Sequence, residues 1–335
     1  MLLHERWFTA DPGAPIRLDM ALEPGAVAAV AAAGIATGVL VAAYRLTGRK
    51  AVIPGPFRLG AGHPLLAVLY GIMPVVLCLH VAVPLIVSGV QRELFVPNLA
   101  FGGGGPAEIP LFGLVASLAQ IGIALALFYG AFTRLAAAAL AIVWLAGAVY
   151  FGPVYLLEQS VFLGIAGALW ILGRGPFSVD ALLGHRLSRP AESQIALAVP
   201  VLRIGTGLSL TVVALTEKLW NLPLALSFLE AYPLNFTAAL GIPMSDAAFV
   251  YAAGAVELTA GLLLLTNSYV RLAIVVLWFP FNLTLPLFGW PELVGHLPIY
   301  GAMAMLAVWG DGGEGDVAAL ARGIAQRPAL LSERS

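Results

Sequence analysis

Hydrophobic and polar positions alternate along this chain in long blocks, each about as long as a membrane-spanning helix. Apolar runs cover residues 25–44, 64–88, 111–129, 132–150, 155–173, 196–216, 247–266, 271–289 and 293–310. A helix that rises about 1.5 Å per residue needs roughly 20 apolar residues to cross a bilayer. The pattern therefore predicts an all-α fold, a polytopic membrane helix bundle with about nine transmembrane helices.

Composition supports a membrane environment and excludes several classes of function. Hydrophobic residues make up 60% of the chain and charged residues 10%, whereas soluble proteins have about 45–50% and about 25%. A net charge of −1 excludes a nucleic-acid partner, which requires clustered Lys and Arg. Cys78 is the single cysteine, so an intramolecular disulfide and a CxxC redox pair are both excluded. Electrons for any redox chemistry must come from a cofactor or from a partner.

The basic residues predict the orientation of the bundle. Arg45, Arg49, Lys50 and Arg58 directly follow the first apolar run, so this end should face the cytoplasm. With nine crossings, 13 of the 17 Lys and Arg fall on the cytoplasmic side, and only Arg6, Arg17, Arg92 and Lys218 fall outside. The cytoplasmic residues are Arg45, Arg49, Lys50, Arg58, Arg134, Arg174, Arg186, Arg189, Arg203, Arg271, Arg322, Arg327 and Arg334. We therefore expect the N-terminus outside and the C-terminus cytoplasmic. Abundant Ala, Gly and Leu fit a bacterial chain, and we expect an inner membrane protein without a signal peptide.

Two stretches of four spans look like copies of one unit. Arg134 and Arg271 are 137 positions apart, and the same offset pairs Phe151-Gly152 with Phe288-Gly289, Gly164 with Gly301 and Gly173 with Gly310. Copies with an even number of spans share one orientation and are related by an axis along the membrane normal. The predicted divisions are residues 1–60 with the first helix, 61–175 as a degenerate repeat, 176–195 as a linker, 196–312 as the second repeat and 313–335 as a cytoplasmic tail.

The ionisable residues lie in the second copy. The offset pairs Glu257 with Gln120 and His296 with Gln159. Each pair keeps a hydrogen-bonding side chain, but only the second copy can exchange protons there. The sequence therefore places any chemistry in the second repeat.

Glu257 lies near the middle of its span, where a charged carboxylate costs about 2.5–3.5 kcal/mol on insertion scales. It should face the bundle interior and either pair with a cation or stay protonated, and Arg203 and His296 are the predicted partners. The alternative is a neutral glutamic acid that donates a hydrogen bond between helices.

His296 and Glu292 lie four residues apart at the start of the last span, on one helix face if the helix has begun. A histidine there can exchange a proton with a quinone oxygen or another substrate. One His and one Glu do not form a metal site, because zinc needs three or four protein ligands, so no metal or haem site is predicted.

Other polar features have structural as well as functional interpretations. Arg134 and Arg271 suit helix-end anchors, and Lys218 suits either an anion site or an anchor at the outer mouth. The Gly102–Pro106 stretch lacks the ending of a phosphate-binding loop. Pro280, Asn282 and Pro286 interrupt an apolar run and predict a small pocket beside Glu257.

The second repeat resembles the DoxX-like family of four-helix bacterial membrane proteins. The resemblance rests on LRIGTGL, EKLWN, GAVELTAGLLLL, YVRLA and GHLPIYG, and covers about residues 202–309. It implies a four-helix bundle associated with redox systems and, in the DoxD branch, a subunit of thiosulfate:quinone oxidoreductase. Carried over by residue, it points to Arg203, Lys218, Glu257, Arg271 and His296. The first repeat lacks the family's Glu and His.

These observations predict an integral membrane subunit that handles protons for a quinone or another lipid-soluble redox partner. Glu257 and His296 would be catalytic, and Arg203, Lys218, Glu292 and Arg271 would bind the substrate. A partner subunit would supply the electrons, so the chain itself is an enzyme only as part of a quinone-linked oxidoreductase. Two alternatives stay open: a non-catalytic scaffold of a larger membrane complex, and a transporter of a small acid.

Overall fold

The computed structural model of the chain describes Phe8 and residues 15–56, 64–101, 110–183 and 192–311. Within these ranges the regular structure is helical, apart from an isolated bridge between Glu93 and Ala100. Several predicted features lie outside the described residues, namely Arg6, Arg58, the Gly102–Pro106 loop, Arg186, Arg189, Arg322, Arg327 and Arg334. The all-helical fold class is confirmed for the part that the structure describes.

We number the α-helices in chain order. They are α1 Pro24–Leu46, α2 Pro64–Gln91, α3 Pro110–Tyr129, α4 Thr133–Phe151, α5 Pro153–Glu158, α6 Ser160–Leu172, α7 Val179–Leu182, α8 Glu192–Val213, α9 Leu222–Ala231, α10 Asp246–Leu265 and α11 Val270–Trp309. A π-helical turn, Ala214–Leu219, continues α8, and two 3-10 turns cover Leu18–Leu22 and Thr237–Leu240.

Seven of the described helices are long and apolar enough to cross a membrane: α1, α2, α3, α4, α8 with its π-turn, α10 and α11. The predicted count of nine is not confirmed. The expected span at 155–173 is divided between α5 and α6, and α6 has only 13 residues. The last two expected spans form one run of 40 residues, interrupted at Gly289, where φ is 62° and ψ is −137°. An unbroken helix of that length would extend about 60 Å, twice the hydrocarbon thickness.

Helix ends follow from local chemistry. Proline begins α1, α2, α3 and α5, and it suits a first turn because the amide hydrogen that it lacks would have no helical partner there. Gly173 ends α6 with φ of 66°, and its amide donates to the Leu169 carbonyl at 2.8 Å. Only glycine adopts that left-handed conformation without steric cost.

The chain divides into two compact units, which we call unit 1 and unit 2. Unit 1 comprises the described residues of 1–50 and 207–292, and unit 2 those of 51–206 and 293–335. These units do not follow the predicted repeat boundaries, because α8 and α11 each supply residues to both. The division into repeats stays a prediction.

In unit 1, α1, the π-turn and α9 pack against α10. Small residues bring the backbones close: a Cβ on Gly207 would lie 2.9 Å from the carbonyl oxygen of Gly261. One buried cluster joins Ala29 and Ala33 of α1 to Leu258 of α10. Such close approach is how membrane helices gain packing energy without a hydrophobic driving force.

In unit 2, α2 packs on α3, α3 on α4 and α4 on α6. Helix α6 meets the first part of α8 where Gly164 faces Gly205, and a Cβ on Gly205 would lie 2.5 Å from the Gly164 Cα. The hydroxyl of Ser160 donates to the Gly205 carbonyl at 3.1 Å across the same crossing. The carboxylate of Asp180 accepts from the amides of Phe132 (2.7 Å) and Thr133 (2.9 Å), and so caps α4 from a distant part of the chain.

The backbone repeats unusual conformations at the offset found in the sequence. Positive φ occurs at four pairs that differ by 137 positions: Gly130 and Asn267, Phe132 and Tyr269, Gly152 and Gly289, Gly173 and Gly310. Positive φ is uncommon outside glycine and is an outlier for bulky residues. Apolar composition alone does not explain why Phe132 and Tyr269 share it.

The loop after α2 is held by a buried glutamine. The Gln120 side-chain oxygen accepts from the Phe95 amide at 2.9 Å and from the Ser88 hydroxyl at 3.2 Å, and its amide nitrogen donates to the Glu93 carbonyl at 2.8 Å. An amide that both accepts and donates is required here. Gln120 therefore has a structural role in unit 2.

The side chain of Glu93 in this loop should make stability depend on pH. Burial raises the pKa of Glu93, because desolvation disfavours the charged carboxylate. The folded protein binds this proton more tightly than the unfolded chain, so stability is lost as pH rises from the unfolded pKa through the folded pKa. We expect Glu93→Gln to raise the thermal midpoint slightly at neutral pH and to match the wild type below about pH 4. Thermal unfolding in detergent across a pH series measures this, and a pH-independent difference would contradict it.

Candidate functional site

The strongest candidate site is a buried ion pair in unit 1. Glu257, midway along α10, is 3% exposed, and Lys218, in the π-turn, is 0% exposed. The Lys218 Nζ lies 3.0 Å from the Glu257 Oε2. The sequence predicted that Glu257 would pair or stay protonated, with Arg203 or His296 as partner. The ion pair that the structure shows is with Lys218.

The π-turn explains how two adjacent charged side chains become buried. On an α-helix, neighbouring residues point about 100° apart, and at the π-turn Ala214–Leu219 both Glu217 and Lys218 are buried. Single π-turns inside α-helices frequently mark functional sites. Gly254 leaves room for the lysine, since a Cβ there would lie 3.2 Å from the Lys218 Cβ and 2.6 Å from the Leu219 Cδ2.

The ion pair lies at a break between two helices. The π-turn ends at Leu219, and α9 begins at Leu222 and packs beside the first part of α10 through Phe228 and Phe249. The chain from α8 through α9 therefore follows α10 as an interrupted helix, with Lys218 just before the interruption. The sequence placed Lys218 at the outer mouth of a span; in the structure it lies at the end of the candidate span Gln194–Leu219 and is fully buried. Interrupted membrane helices typically border binding sites.

Electrostatics make this cluster suited to proton binding. Glu257 is attracted by Lys218 and repelled by the nearby carboxylate of Glu217. Lys218 therefore favours the ionised form of Glu257, whereas Glu217 disfavours it. A charged carboxyl in a buried site is costly unless it is paired. Such coupled groups titrate as a set rather than singly.

Unit 1 contains a further buried carboxyl at the interruption of α11. Glu292 is 0% exposed, and the Thr284 hydroxyl donates to its Oε1 at 2.8 Å. Thr284 precedes Gly289 and Glu292 follows it, so this hydrogen bond spans the non-helical residue. Glu292 was predicted to bind substrate, and its described contact is with the protein.

The remaining predicted residues are buried but divided between the two units. Arg271 lies in the first turn of α11 in unit 1 and is 8% exposed. Arg203 and His296 belong to unit 2 and are 7% and 1% exposed. Lys218, Glu257, Glu292 and Arg271 all belong to unit 1.

Unit 1 contains an apolar groove that does not reach Glu257, and the predicted pocket beside Glu257 stays a prediction. A groove of about 360 Å³ lies between α1, α10 and α11, lined mainly by small apolar side chains such as Ala33, Ala260 and Ala273. Neither Glu257 nor the helix-breaking residues Pro280, Asn282 and Pro286 line it. The Asn282 amide donates to the Trp278 carbonyl at 2.7 Å within its own helix.

Sequence reasoning did not single out Glu217 or Thr284. Glu217 directly precedes the lysine, which on a regular helix would point it away from the site. The only sequence feature that pointed to Glu217 was its position next to Lys218 in the TEKLW string. The structure shows that both side chains are buried. Thr284 gave no signal, because a single threonine in an apolar helix usually bonds its own backbone.

The seven apolar helices and the ion pair buried among them define the class: a multi-pass helical membrane protein. Among the described residues, no group of three or more His, Cys, Asp or Glu could hold a metal ion. No family model, curated protein or solved structure matches this chain. The resemblance to the DoxX-like family therefore stays a prediction.

Proposed function

We propose that this protein is a membrane subunit that binds and releases a proton at Lys218 and Glu257, on behalf of a quinone or another lipid-soluble redox partner. The buried ion pair at the interrupted helix is the observation that carries this proposal. Holding two charges in a bilayer costs several kcal/mol unless they are paired. Proton exchange at Glu257 would break and restore its ion pair with Lys218.

The redox half of the proposal rests on the resemblance to the DoxX-like family. A quinone takes up protons together with electrons, and a buried carboxyl near the middle of the bilayer suits that proton delivery. A partner subunit would supply the electrons, since the single cysteine of this chain cannot cycle as a dithiol. We keep His296 as a second proposed proton carrier, in unit 2.

We also propose that the chain arose by duplication and lies in a bacterial inner membrane with its N-terminus outside. The four recurring pairs of positive φ support the duplication. The bias of basic residues after the first helix supports the orientation. Cysteine labelling of Thr47 variants in intact cells, with a membrane-impermeant reagent, tests that orientation: labelling without lysis would contradict it.

Infrared titration in lipid nanodiscs tests the proton site directly. A protonated buried carboxyl has a C=O stretching band that disappears on ionisation. We expect the wild type to show this band and the Lys218→Met/Glu257→Gln variant, with both charges removed, to lose the part that comes from Glu257. Glu292→Gln is the matched control, because it removes another buried carboxyl of unit 1 and should leave the Glu257 part intact.

Quinone binding tests the redox half separately. A short-chain quinone analogue should bind the wild type with pH-dependent affinity, and the pH dependence should vanish in Glu257→Gln/His296→Gln. Unchanged pH dependence in that folded variant would contradict the assignment. If the wild type shows the infrared band but binds no quinone, the proton site is supported and the quinone is ruled out as its partner.

The interrupted helix favours one other candidate, transport of a small acid. A carboxylate substrate would compete with Glu257 for Lys218, as anionic substrates do at broken helices of transporters. Proteoliposomes loaded with acid buffer distinguish the two: uptake of a small carboxylate that is abolished in the folded Lys218→Met/Glu257→Gln variant would support transport. A scaffold role predicts neither proton exchange nor uptake.

A further inference from the structure

The segment between α9 and α10 has an unusual surface for a loop outside a membrane. No charged residue occurs between Glu230 and Asp246. The side chains of Leu240 (66% exposed), Ile242 (64%) and Phe236 (43%) are nevertheless exposed. Exposed, contiguous apolar side chains of this kind mark an interaction surface.

The backbone of this segment is organised by its own hydrogen bonds. The Asn235 side-chain nitrogen donates to the Met244 carbonyl at 3.0 Å and to Asp246 Oδ1 at 2.8 Å. The Thr237 hydroxyl donates to Asn235 Oδ1 at 2.6 Å, and the Ile242 amide donates to the Thr237 carbonyl at 3.0 Å. A loop that pairs its own polar groups can enter a medium of low polarity, where unpaired backbone groups are costly.

Aromatic rings place this loop beside the ends of the membrane helices. Phe236 packs edge-to-face on Phe249 of α10, with ring centroids 5.7 Å apart. Tyr232, at the start of the loop, packs on Phe288 of α11 at 4.7 Å. Trp290, just past the interruption of α11, is 63% exposed. Aromatic residues collect at the level of the lipid head groups in membrane proteins.

We propose that residues 233–245 form a membrane-surface loop that inserts Leu240 and Ile242 among the lipids at the bilayer–water interface. The lack of charge, the paired backbone and the continuity with lipid-facing helix ends carry this assignment. The loop would fix the height of α9 and α10 in the bilayer, and hence the depth of the interrupted helix. The inference is independent of whether the Lys218–Glu257 pair exchanges protons.

Site-specific fluorescence tests the insertion. Cys78 is the single cysteine and is buried, so a Cys78→Ala background accepts Leu240→Cys or Ile242→Cys labelled with an environment-sensitive dye. The probe is a vesicle of phosphatidylcholine and phosphatidylglycerol that contains lipids spin-labelled at the fifth acyl carbon. We expect strong quenching by these lipids and little by aqueous iodide. Asp19→Cys, at an exposed charged position, is the control and should show the reverse.

Two results would overturn the proposal. Iodide quenching at Leu240 and Ile242 as strong as at Asp19 would place the loop in water. Protection from both iodide and spin-labelled lipid would show that protein, either a second copy or a partner, covers the loop. Size-exclusion profiles that match the wild type establish that each labelled variant is folded, and because both side chains are largely exposed we expect no loss there.

Discussion

Lys218→Met should unfold far more readily than the wild type, and adding Glu257→Gln should restore most of the lost stability. Removing the ammonium leaves a carboxylate without its cation in a buried site, and breaking such a pair typically costs about 3–5 kcal/mol. The double variant replaces both charges by neutral side chains of similar length, and exchanging a buried pair for neutral groups is often close to neutral. Unfolding by sodium dodecyl sulfate in mixed micelles measures all the variants on one scale.

The chain contains its own control for this cycle. Lys50 is the only other lysine and is exposed, so Lys50→Met removes the same charge without breaking a buried pair. We expect a change within about 0.5 kcal/mol, as is usual for surface positions. A double variant no more stable than Lys218→Met alone would show that the two side chains are not coupled.

The sequence was sufficient to locate most membrane helices, because the bilayer itself dictates their length and composition. The predicted run at 111–129 became Pro110–Tyr129, and that at 132–150 became Thr133–Phe151. Hydropathy failed where a helix is interrupted without losing its apolar character. The break between α5 and α6 is of this kind. The π-turn at Ala214–Leu219 instead contains Glu217 and Lys218, which the structure buries.

The partner of Glu257 was not predictable from spacing alone. The sequence offered Arg203 as the cation in the preceding span, but the contacts of Gly207 with Gly261 and of Gly254 with Lys218 fix the register between α8 and α10. That register brings Lys218 to the level of Glu257. Because the register depends on which small residues meet across helices, it is a tertiary property that hydropathy does not contain.

The structure explains why glutamine stands at position 120, which the offset of 137 pairs with Glu257. Gln120 donates to the Glu93 carbonyl while it accepts from the Phe95 amide. A carboxylate cannot donate, so glutamate would leave that carbonyl without its partner. The glutamine is required by the loop of unit 2, whereas Glu257 has a cation to pair with in unit 1.

Gly205→Ala should be one of the most damaging small substitutions in unit 2. Its Cβ would lie 2.5 Å from the Cα and 2.7 Å from the amide nitrogen of Gly164, and 2.9 Å from the Ser160 carbonyl oxygen. All three are backbone atoms that no rotamer change can move, so α6 and α8 must separate. Overpacking of this kind costs about 1–3 kcal/mol, and separation also lengthens the hydrogen bond from Ser160 to the Gly205 carbonyl.

Gly122→Ala is the matched control, because Gly122 lies within α3 and a Cβ there would meet nothing within 4 Å. Alanine at that position should stabilise the helix by about 0.5–1 kcal/mol, since glycine loses more backbone entropy on folding. The two substitutions add the same methyl group to helices of one unit. A loss of stability in detergent for Gly205→Ala and a gain for Gly122→Ala would therefore isolate the effect of the crossing between α6 and α8. Equal effects would mean that α6 and α8 do not meet at these glycines. Gly205→Leu extends the series: if the crossing is tight, stability should fall further with side-chain size, whereas a loosely packed pair of helices would tolerate leucine as well as alanine.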